Sequence, residues 1–420
     1  MHRSNANGHR IAVMGGARTP FVKAGTAFRE HRPLDLALHA VEGLLERLDV
    51  NPDGVESLAW GIVLVDPEIP HVAREIVLDS RLPESTRALT VTDNCISGLS
   101  AMAVVGSAIA EGRAEVGIAG GVESMSNPAV QYGERARRAL LDASRAKGAT
   151  GKLKALLGAR PWDFLPADPG FVEPSTGLSM GEHCEIMVKE WEVGRETQDL
   201  IAYRSHMNAH AATLDGRLTA EIVPLDGIDR DMLVRADTSM SRLAALPPVF
   251  DRSPSGTITA GNSSPLTDGA SGIFLMSEER ARREGREPLA FVLDFEFAGL
   301  SPDDGLLMAP ALTVPRLLAR TGLSLDRMDL VEMHEAFAGQ IACNLKAWER
   351  GWKEPAIGTV PEEKLNRLGG SIAVGHPFAA TGARIATTLA NELVRRDARY
   401  GLVSICGAGA TAAAMILERT

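Results

Sequence analysis

The chain has 420 residues, 45% of them hydrophobic and 23% charged, enough to bury a sizeable core and to form two or three globular domains. A formal net charge of −10 argues against general nucleic-acid binding, which rests on neutralising phosphates, but leaves room for a phosphate-bearing small molecule held by local basic groups. Four cysteines with no C-x-x-C pair rule out a disulfide framework and suit a reducing compartment, the cytoplasm.

The first ten residues, MHRSNANGHR, carry no apolar stretch of the kind found in secretory signals. No run in the chain approaches the roughly 20 apolar residues that span a bilayer. IAVMGGA, from residue 11, reads as a core strand. PLDLALHAVEGLLERL (33–48) reads as an amphipathic helix, with a proline early and leucines at helical spacing. SLAWGIVL (57–64) is strand-like. SGLSAMAVVGSAIA (97–110) is apolar almost all the way round, which predicts a helix buried on every side between two covering layers. EVGIAGGVESM (115–125) returns as a core strand.

Residues 126–248 change character, with more charge, more proline and isolated glycines, and read as an inserted loop or lid domain. Inside it, residues 134–160 carry eight Arg or Lys against two acids, with leucines at 140–141, 153 and 156–157. That mixture is either a solvated helix pair broken near Gly148–Gly151 or a surface-seeking amphipathic segment. Further on, PLAFVLDFEFAG and MDLVEM are strand-like, GHPFAATGARIATTLANELVRR is a second small-residue helix, and YGLVSICGAGATAAAMILE closes as paired strands. Residues 95–121 and 376–409 each run from a reactive residue through an Ala-rich helix to a Gly-rich strand end. This is consistent with duplication of one α/β unit.

Four residues stand at element ends set by Gly or Pro. Cys95, in TDNCISGLSAM, precedes a helix whose unpaired N–H groups and dipole favour a thiolate, while Gly98, Ser100 and Ala101 leave space for a substrate. His376 sits between Gly375 and Pro377, on a stiff strand-to-helix turn, and is a candidate base. His334 and Glu335 follow a strand, where an exposed loop histidine and a helix-starting glutamate are the plainer reading. Cys406 ends a strand and enters glycines whose N–H groups could face an anion. Alone, each also reads as a packing or surface residue; together they make a reactive set. None of the four has a close Cys or His partner of the kind structural zinc sites use, so no metal is expected.

The blocks DNCISGLSA, HEAFAGQ, GGSIAVGHPFAATGAR and CGAGA, in this order, resemble the signature blocks of the thiolases, and GTITAGNSSPLTDGAS and VESMS are similar to the family as well. The resemblance runs from about residue 11 to the end. It implies a five-layer αβαβα thiolase fold with duplicated halves: residues 1–125 plus 249–286, a loop domain at 126–248, and residues 287–420. It implies 3-ketoacyl-CoA thiolysis, with Cys95 as nucleophile, His376 as its base and Cys406 as the acid/base at the α-carbon. Backbone amides near Cys95 and after Cys406 would form an oxyanion hole. Ser264, Met180, Ala336 and Phe337 would contact pantetheine or line the thioester tunnel, although Met180 and Phe337 also read as core. CoA is then a co-substrate, and no permanently bound cofactor is implied.

The chain departs from the family pattern at three places. Where most members have an Asn that holds a water in an oxyanion hole, this chain has His334, a feature shared with the β-subunits of fatty-acid oxidation complexes; a His can donate the same hydrogen bond, so the resemblance implies an oxyanion role for His334. Ala410 and Pro265 replace glycines. The subgroup resemblance implies a homodimer or tetramer and raises contact of residues 134–160 with a membrane surface or an α-subunit. Acetoacetyl-CoA synthesis is the nearest alternative activity. A ketoacyl-ACP synthase would lack the second catalytic cysteine, and a non-catalytic acyl-CoA-binding protein would be expected to have lost a reactive residue.

Overall fold

The structure, a computed structural model, describes residues 8–167 and 172–420. Its strands are β1 (Ile11–Arg18), β2 (Val22–Lys23), β3 (Ser57–Gly61), β4 (Arg87–Val91), β5 (Val116–Glu123), β6 (Gln131–Tyr132), β7 (Pro166–Ala167), β8 (Thr267–Ser277), β9 (Ala290–Gly299), β10 (Leu330–Met333), β11 (Tyr400–Gly407) and β12 (Thr411–Glu418). β6 and β7 form a separate ribbon, and β2 pairs only with β8. The remaining strands form one sheet in the order β10-β11-β12-β9-β1-β8-β5-β3-β4.

That sheet is two arms with one pattern. From β1 outward, β8 and β5 pair antiparallel and β3 then pairs parallel with β5. From β9 outward, β12 and β11 pair antiparallel and β10 pairs parallel with β11. The equivalent strands β1 and β9 join the arms over only Ile11–Val13 and Ala290–Val292.

Strand alternation sorts the side chains into three apolar seams. In β5, Ile118 packs with Leu36, Val41 and Leu44 of the helix Pro33–Arg47. Its neighbour Ala119 faces the other way, toward Leu99, Met102, Ile385 and Leu389. In β11, Val403 and Ile405 meet that same central set, whereas Leu402 packs with Leu317, Ile341 and Trp348 on the far side. The layers are therefore helix, sheet arm, helix pair, sheet arm, helix, which is the expected αβαβα arrangement. The central pair is Ser97–Ala110 and Thr381–Arg395.

The first of these helices is not covered on every side. Val104 is 36% exposed, and it lines a surface hollow with Ser107 and with Leu89 of the edge strand β4. The sheet ends at β4, and among the described residues nothing lies over that stripe. Within residues 126–248, the long helix Arg195–Leu214 turns inward. Its Ala202 packs on Ala338 and Ile372, and its Ala209 and Ala212 on Ala373 and Val374, bracing the segment before His376 from behind.

Candidate active site

Cys95 and His376 meet because the two central helices cross at glycines. A β-carbon on Gly98 would lie 2.8 Å from the Ala379 carbonyl oxygen and 3.0 Å from Gly382 Cα. One on Gly382 would lie 2.6 Å from the Leu99 nitrogen. Gly98 thus makes room for the other half of the protein, not for a substrate. The crossing leaves Cys95 Sγ 3.2 Å from His376 Nε2.

The turn that carries Cys95 is tightly tied. Asn94 holds a left-handed conformation, φ 47°, and its side-chain amide donates to the Ala408 carbonyl at 3.0 Å. Ser97 Oγ donates to the Asn94 carbonyl at 2.7 Å and accepts from the Asp93 N–H at 2.8 Å. The helix proper starts at Ser97, so Cys95 stands just outside its mouth. Burial outweighs the favourable amides of Ala408 and Cys95 itself and pushes the Cys95 thiol up to about 12. The resting group is a thiol, contrary to the thiolate that a helix mouth suggests.

His376 follows a single helical turn, Ser371–Val374, rather than a strand. Gly375, φ 107°, breaks that turn and swings the chain so that the His376 N–H donates to Thr267 Oγ1 at 3.0 Å. Its Nδ1 pairs with Thr381 Oγ1 at 2.7 Å. Burial, helped by the nearby Arg384 charge, lowers His376 to about 3, so its imidazole is neutral. A neutral imidazole facing a thiol is a base waiting for a nucleophile.

Cys406 is buried at the end of β11, and burial together with the Cys95 sulfur raises its thiol well above the ordinary range. The following turn brings the Ala408 N–H to the Cys95 sulfur and passes through Gly409, whose N–H donates to Glu173 Oε2 at 3.1 Å. Ala410 has φ 56°, a conformation that costs a non-glycine residue about 1–2 kcal/mol. Its methyl group is fully buried in the outer core of the second arm.

His334 is also fully buried, not exposed on a loop, with its ring centroid 4.0 Å from that of His376. Its Nδ1 pairs with Ser371 Oγ at 2.8 Å, while its Nε2 has no partner among the described residues. Burial lowers its pKa well below the usual histidine value. Glu335 does not start a helix either. Its carboxylate accepts from Ser205 Oγ at 2.6 Å, Asn366 Nδ2 at 2.7 Å and the Ile372 N–H at 3.2 Å. A β-carbon on Gly370 would lie 2.1 Å from that carboxyl carbon, so glycine is required for the approach. This knot holds the His334 turn against the segment leading to His376.

Family models for the thiolase N-terminal domain and the thiolase C-terminal domain match residues 11–279 and 286–419. The chain belongs to the thiolase family. The 3-ketoacyl-CoA thiolase of Erwinia tasmaniensis is 42% identical over 98% of this chain and 97% of its own length. That of Colwellia psychrerythraea is 40% identical over 99% and 98%. Among solved structures, the Bacillus anthracis acetyl-CoA acetyltransferase superposes with a TM-score of 0.85 at 30% identity, covering 98% of this chain and 100% of that one. Human mitochondrial 3-ketoacyl-CoA thiolase gives 0.84 at 28% identity, covering 98% and 99%. By this membership the protein is an acyltransferase.

The remaining residues singled out in this thiolase are joined by a backbone hydrogen bond and by one core cluster. The Ser264 N–H donates to the Ala336 carbonyl at 2.9 Å, and Leu266, two residues on, bridges to His376. Phe337 stands edge-on to Phe250 and shares a core cluster with Ala336 and Cys406. Met180 opens a helix behind a Ser179–Glu182 capping box and packs on that cluster. The sequence reading missed Thr381, Ser371, Arg384, Glu173 and Glu123. Glu123 accepts from the N–H groups of Leu64 at 2.8 Å, Val63 at 3.2 Å and Ala379 at 3.4 Å, and burial pushes it up to about 7. A lone acid closing the apolar run GIAGGVE was the signal available for it. Among the described residues, no group of His, Cys, Asp or Glu is arranged to hold a metal ion.

Proposed function

We propose that this thiolase cleaves 3-ketoacyl-CoA with CoA, giving acetyl-CoA and an acyl-CoA shortened by two carbons. The observation that carries the reading is the neutral Cys95–His376 pair at 3.2 Å with Cys406 beside it. His376 Nε2 takes the Cys95 proton as the sulfur attacks the C3 carbonyl carbon. The C2–C3 bond then breaks, Cys406 protonates C2 of the leaving acetyl-CoA enolate, and acyl-Cys95 remains. The Cys406 thiolate next takes the proton of an incoming CoA thiol. The CoA thiolate attacks the acyl carbon, giving the shortened acyl-CoA, and Cys95 leaves and recovers its proton from His376. The N–H groups of Cys95 and Ala408 suit an oxyanion hole, where losing one donor typically costs about 3 kcal/mol. His334 Nε2 suits a second donor position.

CoA enters as a substrate, and none of these steps calls for a resident cofactor. Ser264, Met180, Ala336 and Phe337 are assigned to pantetheine and the thioester tunnel. The likeness to an acetyl-CoA acetyltransferase favours one second reading, condensation of two acetyl-CoA by the same groups in reverse. Thiolysis of 3-ketoacyl-CoAs of increasing length separates the two. Activity on long chains supports the degradative enzyme, and activity confined to acetoacetyl-CoA the biosynthetic one. Activity surviving in Cys95→Ala would overturn both.

Residues 1–125 plus 249–286 and residues 287–420 make two thiolase halves, with 126–248 as the loop domain, in a cytoplasmic protein with free thiols. The unpaired edge of β4, with Leu89 and Val104 exposed beside it, supports a homodimer across that edge. Leu140, Leu141, Leu153, Leu157, Trp162 and Leu165 are exposed among the basic groups of the loop domain. That combination supports contact with an anionic membrane surface, or with an α-subunit.

A further inference from the structure

The Ser371 side chain lies between two buried groups. Its oxygen is 2.8 Å from His334 Nδ1 and 2.9 Å from Arg384 Nη2. Arg384 is 2% exposed, and a guanidinium can only donate. Its N–H therefore occupies one lone pair of Ser371 Oγ. Among the described residues the hydroxyl proton of Ser371 has one remaining partner, His334 Nδ1. If Ser371 donates to Nδ1, the single proton of the neutral His334 ring must sit on Nε2. That Nε2–H is buried, has no partner among the described residues, and belongs to a ring whose centroid is 4.0 Å from that of His376. His376 has the opposite requirement: to accept the Cys95 proton on Nε2 it must carry its own proton on Nδ1, toward Thr381 Oγ1 at 2.7 Å. On this arrangement of donors, the two adjacent imidazoles take opposite tautomers, each set by a different hydroxyl.

We propose that Ser371, fixed by Arg384, is a positioning residue that holds His334 in the Nε2–H form, the form in which it donates a hydrogen bond to a carbonyl oxygen of the bound substrate. The proposal deepens the thiolase reading and rests on Cys95 being the nucleophile. It separates the work of the two histidines: one removes a proton, and the other holds an oxygen without exchanging one. It also gives the buried Arg384 a task beyond charge pairing: with its N–H on one lone pair, a Ser371 that also accepted from Nδ1–H would leave its own hydroxyl proton without a partner among the described residues.

The test uses the full-length protein labelled with 15N-histidine. Long-range 1H–15N correlation spectra report which ring nitrogen is protonated, and the His334 pattern is identified as the one lost in His334→Asn. The expected wild-type pattern is protonated Nε2 and bare Nδ1; a protonated Nδ1 overturns the proposal without any variant at Ser371. Ser371→Ala is expected to mix the tautomers and to lower kcat for thiolysis about ten- to hundredfold, with KM nearly unchanged. Ser371→Thr, which keeps the hydroxyl, is expected to restore most of that loss. In the His334→Asn background, where no tautomer exists to set, Ser371→Ala is expected to change kcat little. An undiminished effect there overturns the proposal, as does wild-type kcat in Ser371→Ala. Mass spectrometry of the acylated protein keeps the underlying reading separate. No acyl group on Cys95 in wild type defeats the nucleophile assignment, whereas acylation of Cys95 at the wild-type rate in Ser371→Ala defeats only the role of Ser371.

Discussion

Cys95 Sγ and His376 Nε2 lie 3.2 Å apart although 281 positions separate the two residues in the chain. Both side chains are neutral at rest, because burial raises the thiol to about 12 and lowers the imidazole to about 3. Proton transfer between them thus waits for a substrate whose developing charge makes the transfer favourable.

Alkylation by iodoacetamide reads this resting state directly. A thiol near 12 gains about tenfold in thiolate per pH unit below that value, and His376 does not titrate between pH 6 and 9. The inactivation rate is expected to climb steeply across that range. A flat rate from pH 6 to 8 would mean a preformed thiolate–imidazolium pair.

The crossing of the central helices has almost no slack. Gly98→Ala places a methyl group 2.8 Å from a backbone oxygen of the other half, and such overpacking costs about 1–3 kcal/mol. The variant is expected to melt at a lower temperature and to lose at least about tenfold in kcat/KM as Cys95 moves off His376. Scanning calorimetry and a thiolysis assay check both, and wild-type values would show that the helices can part freely.

Cys406→Ala is expected to leave Cys95 able to take an acyl group from acetyl-CoA while abolishing exchange of the acetyl α-protons with solvent. Deuterium incorporation into acetyl-CoA, measured alongside mass spectrometry of acyl-Cys95, distinguishes the two steps. Normal exchange would remove Cys406 from the proposed chemistry.

Stability against pH follows from the buried titrating groups. His376, lowered to about 3, and His206, lowered to about 4, stay neutral when folded but charge below pH 6.5 when unfolded. Each therefore costs stability as pH falls through that window, about 1.4 kcal/mol per unit. Glu332, raised to about 8, and Glu123, raised to about 7, hold their protons when folded, so they cost stability as pH rises from 4.5. The two trends offset between pH 4.5 and 6.5, with decline expected on both sides. Glu332→Gln is expected to flatten the decline between pH 6.5 and 8, which urea midpoints measure.

The loop-domain surface is open to a vesicle test. Sedimentation with phosphatidylserine-containing vesicles at low salt is expected to carry down the wild type and not Leu153→Asp/Leu157→Asp, with thiolysis equal in both. Wild type remaining in the supernatant would leave the α-subunit as the partner for these leucines.

Much of the site was written locally in the chain. Cys95, His376, His334 and Cys406 each stand where Gly, Pro or a strand end sets the backbone, and those preferences act over a few residues. The strands and buried helices followed from period and composition for the same reason. Partnership between them is a different matter. That Gly98 receives Gly382, that Glu335 ties Ser205 to Asn366, and that Ser371 stands between His334 and Arg384 depend on which elements pack together. The charge state of Cys95 was likewise out of reach of a helix-mouth argument, because desolvation is set by everything around the sulfur and not by the residues beside it in the chain. The sequence by itself determined which side chains could react; the tertiary structure decided which of them meet, and in which protonation state, because burial and long-range packing exist only once the two halves have closed on each other.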